Sequence, residues 1–268
     1  MLLWTRRSKL LAWAVFAVLF TVIVLAPLVM IVLASVAGSW TGALPGALTG
    51  AHFAEALSGE NLASLSVSVQ TGLIASAGSV LLGTWGALAV PEVSRVPPWL
   101  RRIVDTVFHL PIAVPSVVLG LGLLVAFSGP PLILNGTRWI VLLGHLMIVL
   151  PFSYSTVSAA VSRADPLLAQ AAASLGAPPA MVLLRVRLPV LLPAMSASAG
   201  LALAMSMGEL GATMMLYPPD WRTLPAGIFA LTARGQVFLA SASTVLLLVV
   251  TLAGLVAVGL LRGRTAER

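Results

Sequence analysis

One carboxylate dominates the chemistry this chain could do. Glu209 lies in the apolar run Ala204–Leu216, among Met205, Met207, Leu210 and Met214. A carboxylate placed in hydrocarbon costs ~2.5–3.5 kcal/mol on insertion scales, so it faces a cavity or a partner group. Ser206 and Thr213 stand either side of it, and Gly208 and Gly211 permit close helix approach or local unwinding. Two readings stay open. Glu209, Ser206 and Thr213 line a route for a solute, where a bare carboxylate suits a cargo bearing an amine better than a simple anion. Alternatively, Glu209 is a structural carboxylate bonded to a neighbouring helix or to a second subunit. Other chemistry is scarce. The chain has no cysteine, which removes disulfides, thiol catalysis and cysteine-bound zinc. His52, His109 and His145 have no metal-binding spacing and are expected at interfaces or between helices. No nucleophile–base pair stands out, so catalytic residues and a metal site are both expected to be absent.

The elements that must position Glu209 follow from composition. Of 268 residues 59% are hydrophobic and 9% charged, against about a quarter charged in soluble domains. Six apolar stretches run roughly Leu10–Ala37, Leu62–Val90, Ile103–Phe127, Trp139–Val161, Leu191–Leu216 and Val237–Leu261. Each reaches the ~20 residues a helix needs to cross ~30 Å of hydrocarbon. Helices satisfy their own backbone polar groups in lipid, and no alternating pattern argues for a barrel. The first stretch is too long for the ~7–15-residue core of a leader peptide, so it is read as a retained span. In the third, Pro111, Pro115, Ser116, Gly120 and Gly122 predict a kinked, tightly packed helix. Asp105 is expected in its first turn, near Arg101 and Arg102, as a helix-start charge.

Orientation follows from Lys and Arg. With the N-terminus inside, the inner segments hold Arg6, Arg7, Lys9, Arg95, Arg101, Arg102, Arg163, Arg185, Arg187, Arg262, Arg264 and Arg268. The outer ones hold only Arg138, Arg222 and Arg234. Positive residues resist translocation, so both termini are expected on the cytoplasmic side. The net charge of +7 is thus read as membrane orientation rather than as a nucleic-acid surface. The domain reading is a tail, first helix and outer loop over 1–61, a transmembrane core that includes the inner loop 162–189 over 62–261, and a tail over 262–268.

One inner loop, 162–189, differs from the others. Asp165-Pro166 is a helix start, because Asp caps free amides and proline suits the first helical position. Leu167–Leu175 is rich in alanine and leucine, and Gly176 is a natural stop. Pro178-Pro179 allows a second start, with a short helix over Met181–Arg187 closed by Leu188-Pro189. A short apolar helix outside the bilayer either docks in a groove on a partner or lies on the headgroups.

The spacing in this loop carries a resemblance. Gln170-Ala171-Ala172, three residues, Gly176, nine residues, Val186, one residue, Leu188-Pro189 resembles the cytoplasmic "EAA" loop of ABC importer permeases. Gln170 stands where that family has glutamate and Val186 where it has isoleucine. The resemblance implies an all-α integral membrane protein of six transmembrane helices, the type I importer bundle. It implies that Gln170, Ala171, Ala172, Leu175, Gly176, Leu188 and Pro189 couple the chain to an ATPase. The implied partners are two ABC ATPase subunits, a second permease (identical or homologous), a solute-binding protein and membrane lipid, with no nucleic acid. ATP and Mg would sit on the partner ATPase and no cofactor on this chain. A Walker loop requires lysine on the phosphates, and the single lysine is Lys9.

Leu110–Val117, Ser206–Thr213 and Tyr217–Pro225 resemble the permeases of 2-aminoethylphosphonate importers. That likeness implies a cargo route passing Ser116, Ser206, Glu209 and Thr213. Permeases for iron(III), molybdate or sulfate, and thiamine share the general pattern, and a stand-alone secondary transporter is the remaining alternative.

Overall fold

A computed structural model describes residues 6–42, 44–92 and 97–266. Arg95 and Arg268, two of the cations assigned to the inner side, lie outside the described residues. The chain packs as two units, Met1–Ala63 with Gly227–Leu248, and Ser64–Ala226 with Val249–Arg268.

The first unit opens with α1 (Arg6–Phe20) and α2 (Ala26–Ser35), joined through a π-helical turn over Thr21–Leu25. This 30-residue apolar helix is exposed along nearly its whole length, as expected of a surface whose solvent is lipid. A two-stranded antiparallel hairpin, β1 (Ala37–Ser39) and β2 (Ala47–Leu48), and the short α3 (Ala51–Ala56) follow. His52 Nε2 lies 3.1 Å from the Ala37 carbonyl. Ala56, Leu231, Leu239, Ala240 and Ala242 form this unit's core.

The second unit is built around α7 (Arg138–Arg163), about 39 Å long at ~1.5 Å per residue. Packed on it are α4 (Gly59–Glu92), α5 (Pro98–Ala113), α6 (Ser116–Ala126), α10 (Leu188–Met207) and α11 (Gly211–Leu216). Also in this unit are α8 (Pro166–Ser174) and α9 (Pro179–Val182), whereas α12 (Leu224–Ala233) and α13 (Val237–Ala266) are divided, with residues 227–248 in the first unit. Apolar area drives little association between helices in lipid, so close packing and hydrogen bonds must do it. Small residues supply the first. A Cβ at Gly83 would lie 2.8 Å from the Tyr154 amide nitrogen, and one at Gly120 would lie 2.8 Å from the Ala212 Cα. A buried polar stripe on α4 supplies the second. The Ser76 hydroxyl donates to the Ala199 carbonyl at 2.9 Å, and Ser79 and Ser153 share a bond of 2.9 Å.

Among the described residues, five helices are long and apolar enough to cross a membrane, and α5 with α6 make a sixth span if counted together. The sequence predicts a kink in this third span. The structure turns its axis by 108°. Pro115 drives Val114 out of helical conformation, to φ −103° and ψ 127°, because the proline ring clashes with a helical residue before it. Gly120 packs tightly as expected, whereas Gly122 faces open space. Two expectations need correction. Asp105 is in the second turn of α5, which starts at Pro98. The segment Met181–Arg187 is no separate helix closed by Leu188-Pro189. Helix runs on from Pro179 to Met207, with a π-helical turn over Leu183–Arg187. Proline inside a helix clashes with the carbonyl four residues back. For Pro189 that carbonyl is on Arg185, within the wide turn, so the helix continues.

Candidate functional site

Two places carry the residues singled out by sequence. The first is α8 and its ends. The Asp165 carboxylate accepts the Leu167 amide at 2.9 Å, capping the helix that Pro166 begins. At the other end the Ala177 amide donates to the Ala172 carbonyl at 3.1 Å and the Gly176 amide to Ala173 at 3.0 Å. This pair of bonds is a Schellman closure, and Gly176 adopts its required left-handed backbone at φ +83°. The helix is therefore stopped by design at both ends, and its apolar side chains are left out. Leu175 is 89% exposed, Leu167 63% and Leu168 51%. Gln170 and Ala171 are exposed, Ala172 and Leu188 half-buried, and Pro189 exposed. The Gln170 side chain makes no hydrogen bond among the described residues.

The second place is a break in the fifth span. Helix α10 ends at Met207 and α11 begins at Gly211, with Gly208–Leu210 non-helical between them. Glu209 lies in this gap, half-buried. Its Oε1 accepts the Ala212 amide at 2.8 Å, capping α11, and its Oε2 has no partner among the described residues. Ser206 and Thr213 are buried on the two sides of the gap. Both bond the same side chain, His145 of α7. Nδ1 lies 2.7 Å from Ser206 Oγ, and Nε2 lies 2.8 Å from Thr213 Oγ1. The Thr213 hydroxyl points at the Glu209 carbonyl, 3.4 Å away. A coherent donor order follows: the Ser206 hydroxyl donates to Nδ1, Nε2–H donates to Thr213, and Thr213 donates to Glu209. Ser116, first residue of α6, packs against Gly211, so any side chain at 211 would strike its hydroxyl. The breaks of the third and fifth spans thus lie side by side, and all four residues expected along a route come together there.

The sequence reading missed three features. His145, expected at an interface or between helices, is buried between them; what went unread is its pair of hydroxyl partners, which a polar ring within an apolar span needs. The second feature is the docking of loop 217–223 on α4 through Ser64, Ser68 and Thr71, spaced one helical turn apart. Arg222 Nε donates to Ser64 at 3.4 Å, the Leu224 amide to Ser68 at 2.7 Å and Trp221 Nε1 to Thr71 at 3.1 Å. Arg138 stacks over Trp221, 5.6 Å from the ring centroid. The third is Asp105, whose carboxylate accepts the hydroxyl of the buried Tyr154 instead of serving as a helix-start charge. His109 Nε2 lies 2.9 Å from Ser155 Oγ beside it. Among the described residues, no three His, Asp or Glu side chains gather as a metal would need.

Comparison with known proteins adds to this geometry. Residues 79–266 match the family described as binding-protein-dependent transport system inner membrane component. The Salmonella typhimurium protein PhnV, provisionally described as a 2-aminoethylphosphonate transport system permease, is 43% identical over 253 residues, covering 94% of each chain. Among solved structures, a bacterial ABC transporter involved in import of the acidic polysaccharide alginate matches with a TM-score of 0.72 at 19% identity, over 97% of this chain and 96% of that one. The MetNI methionine ABC transporter in an inward-facing conformation matches with a TM-score of 0.63 at 15% identity, over 76% of this chain and 95% of that one. At these identities the structural likeness concerns the fold.

Proposed function

The chain belongs to the family of binding-protein-dependent transport system inner membrane components, and on that premise we propose that it carries 2-aminoethylphosphonate, or a related aminated phosphonate, across the inner membrane in an ATP-driven importer. The observation that carries the substrate is the 43% identity to PhnV over 94% of both chains. The observation that supports the coupling is α8, capped at both ends and presenting Leu167, Leu168 and Leu175 outward.

In this reading two ATPase subunits each receive an α8 helix, one from this chain and one from a second permease. A solute-binding protein delivers cargo on the opposite side, and both termini are cytoplasmic. Exposed leucines on a short helix outside the bilayer favour an apolar cleft on a partner. ATP closes the two ATPases, the docked helices move with them, and the spans beyond re-open to the other face. ATP and Mg belong to the ATPase. The chain's own share is to bind, turn and release.

Reconstitution in liposomes with the ATPase and the binding protein tests this. ATP hydrolysis should rise when binding protein loaded with 2-aminoethylphosphonate is added, and removal of Ala171–Leu175 should abolish import while membrane insertion persists. Stimulation by molybdate or sulfate instead would overturn the substrate. Import by the chain alone, driven by an ion gradient, would overturn the mechanism.

A further inference from the structure

We propose that His145 is a positioning residue of the transport cycle: it latches the two arms of the broken fifth span and thereby holds Glu209 at the gap. This rests on the importer reading above. Three observations meet here. The helix is interrupted at Gly208–Leu210, within an apolar run, and non-helical backbone in such a run persists in lipid only where it is buried in protein or lines a cavity. The last helical turn before the gap and the first after it each present one buried hydroxyl, Ser206 and Thr213. One ring on a third helix bonds both, at 2.7 and 2.8 Å, and the chain of donors ends on the Glu209 carbonyl.

Among the described residues, no other side chain bonds both arms in this way. Within the gap the Glu209 amide donates back to the Ser206 carbonyl at 3.2 Å, and its carboxylate serves the forward arm at Ala212. Both bonds are local, and both survive if the arms slide relative to α7. The imidazole fixes the arms against α7, whose other end leads into α8. Ring nitrogens serve as one donor and one acceptor, which is what two hydroxyls at fixed distance require. Without the ring, the gap loses its register with the helix attached to the coupling loop, and ATP hydrolysis proceeds without moving cargo.

The readout is the number of ATP molecules hydrolysed per cargo molecule imported by the reconstituted complex. A merely structural role lowers import and hydrolysis together and leaves that ratio fixed. His145→Leu should raise the ratio about tenfold or more. His145→Gln, whose amide keeps one donor and one acceptor, should stay within about threefold of wild type. The triple variant His145→Leu with Ser206→Ala and Thr213→Val removes all three polar groups together, an exchange that is close to neutral for stability. It should insert and co-purify with its ATPase, yet keep the raised ratio. If His145→Leu or the triple variant imports at the wild-type ratio, the latch is refuted and the importer reading stands. If the wild-type complex shows no hydrolysis stimulated by loaded binding protein, the importer reading itself fails.

Discussion

Gly176 gives the cleanest quantitative test of the coupling role proposed for loop 162–189. Its φ of +83° lies in the left-handed region, and a Cβ built there meets nothing within 4 Å. A substitution therefore acts through backbone conformation alone, with no clash. Left-handed backbone costs an L-residue roughly 1–2 kcal/mol, equivalent to a factor of about 5–30 in population. Gly176→Ala should reduce coupled import by about that factor, by disfavouring the closure that joins Ala177 to Ala172. Gly176→Val, with a β-branched side chain, should lose more. Gly176→Asn should lose less, since asparagine tolerates the left-handed region. Import into liposomes, normalised to permease recovered in the membrane, reads the effect. Wild-type import by Gly176→Val would refute the claim that the turn after α8 transmits the stroke.

The other predictions concern packing and topology. Gly120→Ala should destabilise the detergent-purified protein by roughly 1–3 kcal/mol, because its Cβ would lie 2.8 Å from backbone at Ala212, whereas Gly122→Ala should leave the melting temperature unchanged, with nothing within 4 Å. Ser68→Ala should cost roughly 1–3 kcal/mol by stranding the buried Leu224 amide, and the same thermal melt reads it. The chain is free of cysteine, so single cysteines report topology directly. Cysteine in place of Leu175 should label only from the cytoplasmic face, and in place of Asp220 only from the opposite one; the reverse pattern would invert the proposed orientation.

Much of this architecture was legible because lipid imposes simple rules. Twenty apolar residues make a span, and the Asp165-Pro166 and Gly176 signals fix both ends of α8, where local chemistry decides. Proline marked the third span as kinked, but neither the size of the turn, 108°, nor the packing of α6 against α11 is encoded by a local pattern. The fifth span begins earlier than its apolar run because a wide turn absorbs Pro189, and hydropathy does not register that turn. Glu209, Ser206 and Thr213 were visible as polar residues in apolar surroundings. Their partner was not, since His145 is 61 and 68 residues away from the hydroxyls it bonds. The Ser64, Ser68 and Thr71 stripe had a helical period in the sequence, but small polar residues hide easily in a hydropathy average.

The central claim is that α8 seats in an ATP-hydrolysing partner. A photo-crosslinking residue in place of Leu175, the most exposed large apolar side chain among the described residues, measures this in the intact membrane complex. The expected product is an adduct with the nucleotide-binding subunit whose yield changes on adding ATP. Adducts to lipid alone, in a complex that still imports, would contradict it.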